Sequence, residues 1–327
     1  MKIKLSRFRF EIKKLLIASL LINLNKMNNR KVLYIVVLLL MTLGVNAQRW
    51  NRESSLDLGL MLGGSNYTGE LTNFKFFETQ GTHFAAGLLC RYNFGNRVTF
   101  KLSATRGNIS GYDEWYSDKT ENQLRNLHFK SILWDFSGGV DINLRLLDRR
   151  KQKGFVPYVT TGFSVFKFNP QGQFFYNVNS PHNTGTNGYT TLAGRNEEWV
   201  NLQPLSTEGQ QTAEYNDLKR YSLTQLAVPL GFGVKCYLNK NWMIALEYAT
   251  RFTFTDHLDD VGGKYAEPFF IESQYGPIAS AMADPGPQLH ETGSLRGNPD
   301  NNDRYGIFGV SLTYRIITSK VKCFQFR

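Results

Sequence analysis

Between Leu56 and Leu62 every second residue is leucine, while Asp57, Gly59 and Met61 occupy the positions between them. Side chains on a strand alternate between its two faces, so this stretch is a strand with one oily side and one side that is not. The pattern returns seven times, at about 82–94, 97–107, 128–145, 155–168, 222–238, 242–255 and from Phe308 to Ile316. In the fourth segment Ile132, Trp134 and Phe136 oppose Ser131, Asp135 and Ser137; in the sixth Leu226, Val228 and Leu230 oppose Gln225, Pro229 and Gly231. Three joins between segments are short (Gly95-Asn96, Leu146 to Gly154, Asn239 to Asn241) and four are long (64–81, 108–126, 169–221, 256–303). Short and long joins strictly alternate. That order predicts an all-β chain, an eight-stranded antiparallel up-and-down transmembrane β-barrel with short periplasmic turns and long external loops.

Composition is consistent with this reading and removes others. A mean hydropathy of −0.33 excludes a bundle of membrane-spanning helices, each of which needs about 20 consecutive apolar residues. The aromatic content of 14% excludes disorder. The net charge of +11 suggests nucleic acid until it is located: residues 1–47 hold nine Lys/Arg and one Glu, leaving 29 basic and 26 acidic residues for the rest. A nearly neutral body gives no DNA-binding surface. From Met27, a basic start (Arg30, Lys31), an apolar run from Val32 to Val45 and the small residues before Gln48 form a secretory signal, with cleavage expected after Ala47. We therefore divide the chain into an upstream extension (1–26), a signal peptide (27–47), an outer-membrane barrel (48–316) and a basic tail (317–327). Cys90, Cys236 and Cys323 have neither the number nor the spacing for a disulfide framework or a metal knuckle.

The polar stripes carry Asp57, Arg91, Lys101, Asp135, Asp141, Arg145, Lys235, Glu247, Arg251 and Arg315. Inside a closed barrel such groups must pair, so we expect an interior charge network. The oily stripes end in Tyr92, Phe94, Trp242, Phe252, Phe254 and Tyr314, rings suited to the headgroup belts of a bilayer. Eight strands leave an interior that side chains fill, and the charges are then structural filler. A catalytic set is not visible: the sequence has no G-x-S-x-G and no H-E-x-x-H, and His83 and His128 fall at strand ends where a solvated histidine is ordinary. No enzyme activity and no cofactor are expected. Asp256, Asp259 and Asp260, with Asp300 and Asp303, put hard oxygen donors at the barrel mouth that calcium would accept. Their spacing is not that of an EF-hand, and Asp/Asn/Gly clusters are what turns use, so the reading is no metal. Arg149, Arg150, Lys151 and Lys153 form a basic run on a short turn, either a solvated turn or a docking point for an acidic partner.

Three stretches also carry a resemblance: LDLGLMLGGSNYTGEL (56–71), YSLTQLAVPLGFGVKCYLNKNWMIALEYATRFTFTDHLDDVGGKY (221–265) and RGNPDNNDRYGIFGVSLTYRI (296–316). They resemble the PorG-like outer-membrane proteins of the type IX secretion machinery of Bacteroidota. The resemblance implies a non-enzymatic barrel in outer-membrane lipid, associated on its periplasmic side with the ring of PorK and PorN. It assigns no chemical role to 256–263 or 296–303. A barrel enzyme that modifies outer-membrane lipid and a small pore are the alternative functions.

Overall fold

The computed structural model describes residues 54–72, 79–116, 120–145, 153–185 and 188–317. The expected upstream extension, signal peptide and tail from residue 318, and Arg149, Arg150 and Lys151 of the basic run, lie outside the described residues. Lys153 is described and exposed.

Eight strands close a barrel: β1 (Ser54–Thr68), β2 (His83–Phe94), β3 (Val98–Tyr112), β4 (His128–Asn143), β5 (Gly154–Lys167), β8 (Thr224–Tyr237), β9 (Trp242–Thr253) and β10 (Arg304–Ile317). Each pairs antiparallel with its neighbour in this order, and β1 pairs with both β2 and β10, so no edge remains open. Ile317, placed at the head of the tail from sequence, is the last residue of β10. Two short strands not foreseen, β6 (Pro170–Phe174) and β7 (Glu198–Asn201), form a hairpin in the long join after β5, and β6 extends the sheet along β4.

Register fixes which stripe faces which way. Asp57 lies opposite Arg91 and Arg315, while Leu58 lies opposite Cys90 and Tyr314. The first set is buried or half-buried and the second faces out. Leu88 is 63% exposed and Phe163 77%, and Leu60, Leu102, Leu230 and Leu246 are likewise open on the outer wall. Leucines this exposed around a whole barrel are the signature of a wall that meets acyl chains rather than water. Its height agrees. The ten residue steps from Phe84 to Phe94 on β2, at about 3.3 Å each and a tilt of about 40°, rise about 25 Å along the axis, the thickness of a barrel's apolar band. Among the described residues no helix is long and apolar enough to cross a membrane.

The two ends of the barrel differ. At one, Gly95, at φ 68°, begins the tight turn between β2 and β3, and residues 238–241 join β8 to β9. At the other, β1 and β3 run past the expected ends to Thr68 and Tyr112. Residues 64–67 are buried on both faces because the long connections pack over them, and burial on both faces erases the alternation by which a strand is read. The main hydrophobic core sits at this end, where Phe129, Phe166 and Tyr305 point inward below Leu258, Val261 and Met282 of the connections. Three short helices belong to the same cap: α1 (Thr120–Arg125), α2 (Pro268–Tyr275) and α3 (Pro277–Ala283). The last two each begin with proline, whose missing N–H costs nothing there, and meet at Gly276 with φ 85°.

An outward Leu88→Arg variant separates a lipid-facing wall from a water-facing one. In liposomes it is expected to lower unfolding stability by about 2–4 kcal/mol, read by denaturant titration, whereas an exposed leucine in water would lose almost nothing on the same change.

Candidate functional site

Inside the barrel the polar stripes meet as three groups of charge. Asp141 on β4 lies 3.0 Å from Lys235 Nζ, 3.5 Å from Arg91 Nε and 3.6 Å from Lys101 Nζ. Glu247 on β9 accepts from Lys101 Nζ with both oxygens (2.7 and 2.8 Å) and from the Tyr158 hydroxyl (2.6 Å). Lys235, wholly buried, also donates to Asn143 at 3.1 Å and sits 4.4 Å from the centre of the Tyr158 ring. Toward the tight-turn end, Arg315 grips Asp57 through Nε (2.9 Å) and Nη2 (3.0 Å), and Asn93 adds a third bond at 2.8 Å. Toward the capped end, Asp135 accepts from Arg251 (3.3 Å), Tyr305 (2.7 Å), Ser164 (2.7 Å) and Ser137. Nine of the ten residues expected in the interior network are therefore in it. Arg145 is not: it follows the last residue of β4, Asn143, beyond the paired part of the strand, and is exposed.

This packing leaves little room. A void of about 20 Å³ lies among Arg91, Lys101, Glu247 and Arg251, space for about one water molecule. Four carboxylates and five cations balance within a single charge, the condition for holding them out of water.

Over the barrel mouth a second constellation forms from the connections. Glu208, buried, accepts the N–H groups of Gly262 (2.9 Å) and Gly263 (2.8 Å) and lies 3.3 Å from His257 and 3.4 Å from Arg296. Burial opposes its charge, but the His257 hydrogen bond, the Arg296 guanidinium and the glycine N–H hold the carboxyl down at about 2. Asp260 accepts from Thr207 and Tyr221, both at 2.5 Å. Arg125 of α1 chelates Asp113 (2.7 and 2.8 Å) and donates to the carbonyls of Glu70 (3.2 Å) and Arg296 (3.1 Å). Tyr67, from the end of β1, sets its hydroxyl 2.6 Å from Asp259 and 2.8 Å from Asp303, its single proton available to one of the two at a time. Gly69 is obligatory at this point, because a Cβ there would fall 1.9 Å from both Asp303 Oδ1 and the Tyr67 hydroxyl.

The acids of the mouth divide. Asp256 and Asp303 converge, Asp259 reaches Asp303 only through the Tyr67 hydroxyl, Asp260 is engaged with Arg296 and its two hydroxyl donors, and Asp300 is exposed and apart. The convergent group includes Glu70, which sequence reading passed over because a single glutamate in a turn carries no spacing signal. Burial, with the like charges of Glu70, Asp259 and Glu208, pushes Asp256 up to about 9, and burial also raises Asp259 and Asp303 well above the usual carboxylate range.

The histidines differ from expectation. His83 is half-buried with Nε2 at 2.7 Å from the Ser110 hydroxyl, and His128 accepts the Gln173 N–H at 2.9 Å while stacking on Tyr112, so neither is simply solvated. The expectation of free side chains fails because β6 and the long connections cover the rim. His182 touches the Ser280 hydroxyl (3.0 Å) and the Asp284 carbonyl (2.8 Å), but both side chains are buried and no substrate can reach the hydroxyl. It pins the join after β5 to α3.

A family model described as a domain of unknown function (DUF6089) matches residues 30–190 and 202–281. No curated protein matches the sequence. Among solved structures the chain is similar to the attachment invasion locus protein Ail of Yersinia pestis (9% identity, 81% of this chain and 99% of that one, TM-score 0.35). It is also similar to Neisserial surface protein A (10%, 81% and 97%, 0.34) and to OprG of Pseudomonas aeruginosa (9%, 82% and 97%, 0.33). At these scores the likeness adds nothing to what the strand pairing already establishes.

Two variants test the site. Asp141→Asn leaves three buried cations without their shared partner, and a loss of about 3–5 kcal/mol is expected in denaturant unfolding. Glu208 stabilises the cap above its ordinary value of 4.5, and that contribution disappears as pH falls toward about 2. The melting-temperature gap between the wild type and Glu208→Gln should therefore be widest above that ordinary value and close on acidification.

Proposed function

The chain belongs to the DUF6089 family, and from its fold together with the three resembling stretches we propose that it is a non-enzymatic outer-membrane barrel of the type IX secretion machinery, anchoring a periplasmic ring of PorK and PorN. The observation that carries the reading is the combination of an apolar outer wall with an interior closed by paired charges. Such a barrel fixes a position in the bilayer without passing solute. The secretion role itself draws on the three resembling stretches, and two of them, 221–265 and 296–316, supply the segments that meet over the mouth through Arg296 and Asp260, and through Asp303 and Leu258.

Orientation follows from the connections. The capped end is the external one, as long loops are in such barrels, and both ends of the barrel domain then lie on the periplasmic side with the short turns. Arg106 and Lys167 flank Trp134 across β3, β4 and β5 on the outward face at the capped half, a cationic pair at the height where the anionic headgroups of an outer leaflet would lie. Lys153 lies just before β5 at the end with the short turns, and with the basic residues that precede it in the sequence it is the docking point we propose for an acidic ring surface.

A lipid-modifying enzyme is the weaker reading, since no accessible histidine lies between a hydroxyl and an acid among the described residues. A pore is weaker still, given the single-water void. Deletion of the gene should abolish export of proteins bearing the type IX carboxyl-terminal signal, and affinity purification from membranes should recover the ring proteins. Normal export in the deletion strain, or purification without ring proteins, would count against the role, and steady single-channel conductance in planar bilayers would favour the pore.

A further inference from the structure

Asp256 is 7% exposed, and both of its carboxylate oxygens are buried without a hydrogen-bond donor. The Oε2 of Glu70 is buried and undonated as well. These are not remote orphans. Glu70, Asp256 and Asp303 each aim a carboxylate oxygen at a common point, and the three oxygens lie within 4.8 Å of one another. Asp259 stands behind them, tied to Asp303 through the Tyr67 hydroxyl. Leaving ionised carboxylates unpaired and facing one another costs several kcal/mol, and a folded protein removes that cost either by taking up protons or by supplying positive charge at the centre.

Among the described residues no protein cation supplies that charge. Arg125 spends its donors on Asp113 and on two backbone carbonyls, and Arg296 on Glu208 and the carbonyls of Ala283 and Asp260. We propose that Glu70, Asp256 and Asp303 bind a divalent cation, calcium by its chemistry, at the external mouth of the barrel. The donors are all hard oxygens, with no cysteine or histidine among them, which disfavours zinc and other borderline metals. With calcium–oxygen distances of about 2.3–2.6 Å, one ion can touch all three oxygens when they lie within 4.8 Å of one another. Magnesium needs tighter octahedral geometry and keeps its water, which a pocket this buried does not favour.

The three ligands come from the join after β1, the start of the join after β9 and the residue before β10. A cation there would fasten the cap across its widest separation in sequence. The inference uses nothing from the secretion reading, so its failure would leave that reading untouched.

The test uses the full chain refolded in detergent, stripped with chelator at neutral pH, and titrated with calcium chloride by calorimetry. One saturable site per chain is expected, together with a rise in the melting temperature of the cap and slower proteolysis of the long connections. Terbium luminescence excited through Tyr67 should report the same site and be displaced by calcium. Asp256→Asn and Glu70→Gln should each weaken binding at least about tenfold, while Asp300→Asn, at an exposed position outside the cluster, should leave it unchanged. Heat-modifiable gel migration confirms that each variant still forms the barrel, and Glu70→Gln, at the least buried ligand, serves should Asp256→Asn fail to fold. Absence of saturable binding up to about 5 mM calcium, or wild-type affinity in a folded Asp256→Asn or Glu70→Gln protein, would overturn the proposal.

Discussion

The barrel depends on a constraint set by its own wall. Once leucines such as Leu60, Leu88 and Leu230 face outward, strand geometry places every intervening side chain inside, and the charged residues among them must find partners there. The nine charged residues are tolerable there because each lies within reach of an opposite charge. Asp141 shows the limit of this economy. Three cations surround it, yet its oxygens lack well-aligned hydrogen bonds, so it is held by charge more than by directed bonding.

The two halves of the barrel use different physics to fill the same cross-section. The half near the tight turns is closed by ion pairs, Arg315 with Asp57 and Lys235 with Asp141. The half under the long connections is closed by Phe129, Phe166, Tyr305 and Leu133, an ordinary apolar core transplanted to the mouth of a barrel. Asp135 lies where the two meet, accepting from both Arg251 and Tyr305, which face each other across β9 and β10.

Much of this was legible in the sequence because period-two alternation encodes direction. The eight strands, their order and nine interior charges follow from it. Arg145 was misplaced because alternation has no punctuation to mark where pairing stops; the stripe continues on paper for two residues after Asn143, while the ladder does not. The ends of β1 and β3, the β6–β7 hairpin and the helices escaped for the opposite reason. Ser65 and Asn66 are polar and buried among connections, and no local pattern distinguishes them from exposed turn residues. The mouth acids were visible as a composition but not as a grouping. Asp256 and Asp303 are 47 positions apart, and Glu70 is 186 positions from Asp256, so only the closed barrel brings them together.

Tyr67 carries a consequence for how the molecule assembles. Its hydroxyl bridges Asp259, 192 positions away, and Asp303, 236 positions away, so the strand made first is clasped by the segments made last. Contacts of such long reach form late. The lid over the mouth is therefore a record of completed closure: until β10 zips onto β1, Asp303 is not in place and Tyr67 has only half its clasp.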